Sequence, residues 1–183
     1  MTNEQKKRVE VAKDVIALVN SGVLHAGHRG YIHPSSGLID SEDRDGSIIN
    51  LMTLWTRSGD FKEVVKKCTV CALGAVTLAS LVKRDDNVKA AALLQLAEDC
   101  DRDIVDDGLM SVFSDHQMDL IESAYEMCSI GYGSAFCDQD TRNAVIFGKD
   151  HKNPSNRLIA IMQNIIDHKG EFKPAVRYDV VKA

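Results

Sequence analysis

The sequence predicts a mainly α, compact multi-helix domain with a small β-hairpin or long loop near residues 23–46. Three observations carry that prediction. Apolar residues recur at helical spacing in several separate segments. Glycine and proline cluster between Gly22 and Gly46, where that rhythm fails. Finally, 44% hydrophobic and 27% charged residues over 183 positions is ordinary globular composition, sufficient for one domain with a sizeable core.

In chain order, residues 4–21 carry Val9, Ala12, Ile16 and Val19 on one face, widened by Val11, Val15 and Leu18, and Gly22 is a natural stop. Gly27, Gly30, Pro34, Gly37 and Gly46 then punctuate the chain, with a charge cluster over residues 40–45 and Tyr31-Ile32-His33 as the best strand candidate. From Ser47, the residues Ile48, Leu51, Met52 and Trp55 restore helical spacing, and Trp55 reads as core. Gly59 breaks this pattern before a short segment over residues 61–67. Residues 70–82 are apolar nearly all round, which predicts a central helix whose Ala72, Gly74, Ala75 and Ala79 let neighbours approach. A solvated turn, Lys83-Arg84-Asp85-Asp86, separates it from an alanine- and leucine-rich helix over residues 88–97.

Ser114, with Gln117 three residues on, has the form of a capping box ahead of Met118, Ile121, Ala124, Tyr125 and Cys128. Gly131-Tyr132-Gly133 ends that helix. The last helix begins near Asn153-Pro154-Ser155, carries Leu158, Ile161, Met162, Ile165 and Ile166, and ends at Gly170. The expected organisation is a single helical domain over residues 1–174 and a C-terminal arm or disordered tail over 175–183.

Charge and composition exclude several functional classes. A net charge of −5 argues against general nucleic-acid binding, because phosphate contacts need a basic surface. Aromatics are only 5% of residues and are not interleaved with basic ones, so a base-stacking platform is unsupported. No apolar run approaches the ~20 residues a membrane span requires. The N-terminus reads as a polar amphipathic segment and not a signal peptide. Five cysteines cannot all pair within one chain, so reduced thiols in a cytoplasm are expected.

The candidate chemistry centres on Cys68-Thr69-Val70-Cys71, directly ahead of the apolar helix. As a zinc half-site, Cys68 and Cys71 need two further ligands, and His25 and His28, with His33 nearby, are the best donors. As a nucleophile, Cys71 at a helix N-terminus needs a base, and His116 beside Asp115 or Asp119 is available. The third reading makes both cysteines small buried hydrophobes, and the surrounding apolar run favours it. No cofactor is expected beyond zinc in the first alternative.

The acidic stretch from Glu98 to Asp107 resembles a calcium loop only superficially. With Asp99, Asp101 and Asp103 as the first ligands, Ile104 falls where glycine is required and Met110 where glutamate is required. It reads as a solvated acidic turn that suits a basic partner. The glycines and Arg29 between His25 and His33 offer backbone N–H groups to a phosphate, but no Walker or dinucleotide pattern accompanies them.

Three stretches carry a resemblance: Val70-Cys71-Ala72-Leu73-Gly74-Ala75-Val76, the helix from Phe113 to Tyr125, and the segment from Arg157 to Pro174. Together they resemble a group of small accessory proteins encoded by tailed bacteriophages. The resemblance implies expression in an infected bacterial cytoplasm and a host or phage protein as partner. It carries no catalytic residue across. The expectation is an accessory protein that binds and inhibits or redirects a host protein, including a defence system. The alternatives are a cysteine-dependent hydrolase or transferase using Cys71 and His116, and a zinc-stabilised module.

Overall fold

The computed structural model describes residues 1–27, 32–34, 66, 68–84, 112–127 and 138–175. The expected helices beginning at Ser47 and over 88–97, residues 61–65, the acidic stretch 98–107, His28 and residues 176–183 lie outside the described residues. Within them the mainly α expectation holds. The described elements are the helices α1 (Asn3–Asn20), α2 (Ala72–Arg84), α3 (Asp115–Glu126), α4 (Gln139–Lys149) and α5 (Pro154–Asp167), together with three short strands.

Each helix end has a local cause. Thr2 caps α1, its hydroxyl accepting from the Gln5 N–H while the Gln5 side chain accepts from the Thr2 N–H. At the other end, Gly22 lies in the left-handed region at φ 70°. Its N–H reaches the Val19 carbonyl, and that of Val23 reaches Leu18, which closes a Schellman turn at the expected stop. Asn153 caps α5 with Pro154 in its first turn, as the sequence predicts. The same C-terminal motif recurs there: Lys169 (φ 57°) donates to Ile166 and Gly170 (φ 94°) to Ile165.

Two expectations change. Ser114 caps α3 through the Gln117 N–H, but the Gln117 carboxamide does not return to the cap. It pairs with the backbone of Phe172, so the box-like sequence serves a tertiary contact. Helix α4 was not expected. Its buried face is Asn143, Ala144 and Gly148, small or polar residues that give no apolar rhythm.

The β structure expected within residues 23–46 is present, but its strands do not pair with one another. Strands β1 (His25–Ala26) and β2 (Ile32–Pro34) flank β3 (Cys68–Val70), giving the order β1-β3-β2. β1 runs parallel to β3, with His25 opposite Thr69 and Ala26 opposite Val70. β2 runs antiparallel, with Ile32, His33 and Pro34 opposite Val70, Thr69 and Cys68. Pro34 donates no ladder bond, and an outer strand tolerates that. Cys68 to Val70 is therefore strand, and the apolar helix starts at Ala72.

Helix α2 is the packing centre. Every residue from Cys71 to Ala79 is buried, and Thr77, the polar member, bonds its hydroxyl back to the Leu73 carbonyl at 3.0 Å. Ala12 and Val15 of α1, Met118 and Ile121 of α3, and Leu158, Ile161, Met162 and Ile165 of α5 complete the core. Arg8 closes one edge, donating to the Val112 carbonyl with its guanidinium 5.8 Å from the Phe113 ring centroid.

Candidate functional site

The Cys71 thiol sits where β3 turns into α2. Its carbonyl accepts the first helical bond, from Ala75 at 2.9 Å, so Cys71 is the residue capping the helix. The Leu73 and Gly74 N–H groups point at its sulfur and favour the thiolate. Burial opposes them, and Glu122 and Glu126 add repulsion of the same sign. Burial wins: the thiol is pushed up to about 12 and stays protonated near neutral pH. A helix terminus activates a cysteine only when water or a cation also reaches it. Here the residue is 5% exposed.

Tyr125 stands against Cys71. Its hydroxyl lies 2.9 Å from the Gly27 carbonyl and 3.3 Å from that of Val70, so it ties α3 to β3 and to the residue that follows β1. Burial raises its pKa first, and the neighbouring Cys71 and Glu126 raise it further.

Behind it lies Arg157, 1% exposed, whose guanidinium carbon is 5.9 Å from the Tyr125 ring centroid. Arg157 donates to the Gly148 carbonyl at 3.0 Å, the Tyr125 carbonyl at 2.9 Å and the Lys152 carbonyl at 3.5 Å. Those carbonyls belong to the last turns of α3 and α4 and to the connection into α5, and that of Gly148 also accepts from the His151 N–H at 3.1 Å. The planar guanidinium offers five N–H donors in a fixed fork, against three on a compact ammonium, and so reaches carbonyls of separate segments at once. Burial lowers its pKa, while Tyr125 and Glu126 oppose that shift.

The candidate residues divide as follows. Cys71 lies near Tyr125, Glu122 and Glu126, at the C-terminal end of α3. His116 is exposed in the first turn of that helix, close enough to Asp138 to favour its carboxylate. Nine residues separate His116 from Tyr125, about 13 Å of helix. The structure therefore keeps His116 away from Cys71, beyond the hydrogen-bond reach a general base requires. Asp115 and Asp119 share His116's end of α3.

For zinc, the structure places Cys68 in β3 and an exposed His25 opposite Thr69, while His28 lies outside the described residues. Among the described residues, no group of three or more His, Cys, Asp or Glu side chains gathers as a metal would need. Also among them, no helix is long and apolar enough to cross a membrane.

Sequence reasoning missed Tyr125 and Arg157 as a linked pair, although a signal existed for each. Arg157 falls on the buried i, i+4, i+8 row with Ile161 and Ile165, where a charge needs a special reason. Tyr125 sits on the apolar face of α3 with a hydroxyl that must find a partner once buried. The partners, Gly27 and Val70, lie 98 and 55 residues away, and no local pattern reveals them.

No protein-family model, curated protein or solved structure matches the chain.

Proposed function

We propose that this chain acts by protein–protein contact, as a bacteriophage accessory factor that binds a host protein and inhibits or redirects it in the bacterial cytoplasm. One observation carries the reading. The chemically capable groups of the described core hold the protein's own backbone: the Cys71 sulfur faces helix N–H groups, and Tyr125, Arg157 and Gln117 hold carbonyls of other segments. Along α3, Asp115 is exposed in the first turn and the other carboxylates are half-buried. Asp115, Asp119, Glu122 and Glu126 lie on that helix without a lysine or arginine among them. Such a face suits a basic partner surface and steers it by long-range attraction. The resemblance of the Val70 to Val76, Phe113 to Tyr125 and Arg157 to Pro174 stretches to phage accessory proteins supports the same reading.

The test is quantitative affinity capture with the full chain from bacterial lysate, followed by reconstitution with the purified partner. A stoichiometric complex is expected, weakened by salt and by Asp115→Asn. Capture of nothing above the control, or a complex indifferent to both treatments, overturns the reading.

A further inference from the structure

After α5 the chain does not leave the domain. Residues 171–175 stay on it as an irregular segment that is neither helix nor strand, and Phe172 is buried at 1% exposure. Two side-chain carboxamides hold the backbone of this segment. Gln117 of α3 accepts from the Phe172 N–H at 2.6 Å and donates to the Phe172 carbonyl at 3.3 Å. Asn164 of α5 accepts from the Lys173 N–H at 2.8 Å and donates to the Lys173 carbonyl at 3.0 Å. Each amide thus offers one donor and one acceptor to a single residue, as a neighbouring strand would. The Phe172 ring meets Phe147 of α4 edge-on, with centroids 5.3 Å apart and planes at 82°. The groove therefore reads main chain at two successive residues and one aromatic side chain.

The Glu171–Lys173 ion pair, at 2.6 Å, lies within the segment and would travel with it. The connection back to α5 is Lys169-Gly170, two successive residues with positive φ (57° and 94°). A Cβ at Gly170 would stand 2.6 Å from the Gln5 carbonyl oxygen of α1, so the closed turn is specific to glycine at that point.

We propose that residues 171–175 form an exchangeable strap, and that its groove accepts the same segment from a second copy of the chain, giving a strap-swapped dimer. The occupant's chemistry is set by the structure, because the groove already holds that segment and a second copy presents identical groups. Five extended residues reach about 17 Å, enough to leave one domain and enter an adjoining one. Tethering opposes the exchange. An intramolecular segment competes at an effective concentration on the order of millimolar, so the closed monomer prevails at micromolar protein. A change that strains only the closed turn shifts the balance toward exchange. The inference does not depend on the host partner proposed above.

The experiment compares the full-length wild type, Gly170→Ala and Gly170→Ala/Phe172→Ala by size-exclusion chromatography with light scattering from ~10 µM to ~1 mM protein, a range that approaches the tethered concentration. Gly170→Ala is expected to raise the dimer fraction about tenfold or more over wild type, since its penalty applies to the closed turn alone. Removing Phe172 in the same chain is expected to abolish the dimer. A folded Gly170→Ala that stays monomeric throughout, or a dimer that survives loss of Phe172, overturns the proposal. Hydrogen exchange on the unmodified chain tests release directly. The Phe172 and Lys173 amides are expected to exchange faster than those of Ile161 and Met162, through an opening smaller than global unfolding. Equal protection at all four positions means the strap leaves only when the domain unfolds, which also overturns the proposal.

Discussion

Replacing Gly148 with alanine sets two opposed effects against each other. Alanine favours helix over glycine by up to about 1 kcal/mol, and less near a helix end such as this one. Against that, a Cβ at residue 148 would stand 1.8 Å from the Ala124 carbonyl oxygen of α3. A carbon meets a carbonyl oxygen at about 3.3 Å or more, so α3 and α4 must separate locally by about 1.5 Å. The obstructing atom is backbone, which has no alternative rotamer.

Separation also stretches the bonds through which Arg157 holds Gly148 and Tyr125 together. Overpacking of a core costs about 1–3 kcal/mol, and a backbone-to-backbone clash belongs at the upper end. The expected net loss is about 2 kcal/mol. For a chain of this size that lowers the melting temperature by about 4–8 °C. Urea denaturation followed by circular dichroism, with a parallel thermal scan, measures both. A Gly148→Ala protein as stable as wild type, or more so, would show that the helices do not cross at this distance, and the reasoning would fail.

Other outcomes follow from the same core. Arg157→Met removes a buried donor from the Tyr125 and Gly148 carbonyls, the latter keeping the His151 N–H, and should destabilise by about 2 kcal/mol, with Arg157→Lys recovering little of it, both read by urea denaturation. Tyr125→Phe should cost about 1–2 kcal/mol by the same assay, since the Gly27 carbonyl loses its partner; no loss would mean the hydroxyl contributes nothing. Native Cys71, mapped by peptide mass spectrometry, should resist thiol reagents near pH 8 and react only as the chain unfolds; rapid stoichiometric labelling would revive the nucleophile reading. With the folded thiol at about 12 and an ordinary value of 9.0, the native state holds more protons above pH 9, so this group's contribution to stability falls as pH rises from 9 toward 12. In acid the sign reverses. Lys173 holds the Glu171 carboxyl below its usual range, and the Thr141 N–H does the same for Asp138, so their modest contributions are present at neutral pH and lost as pH falls below the carboxylate range. Glu171→Gln with Asp138→Asn should flatten that acid limb in a pH series of melting temperatures.

The amino-acid sequence by itself determined the helices whose apolar faces and end signals agree. The α1 stripe with its Gly22 stop, the α3 stripe behind Ser114, and α5 between Asn153-Pro154 and Gly170 are all legible, because spacing and capping are local properties of the chain. The buried apolar run after Cys71 was legible as core for the same reason. Helix α4 was not, because its buried face is made of residues small enough to let α3 approach, and smallness leaves no hydrophobic period.

Only the tertiary structure decided the rest. It made Cys68–Val70 a central strand between partners far off in the chain, and turned Gln117 from cap to clamp. It also decided the chemistry of Cys71. Sequence places that thiol at a helix N-terminus, which lowers a pKa, whereas the fold buries it beside Tyr125 and two glutamates, which raises it further than the helix can offset. Burial depends on which distant segments cover a residue, and that information exists only once the chain has closed on itself.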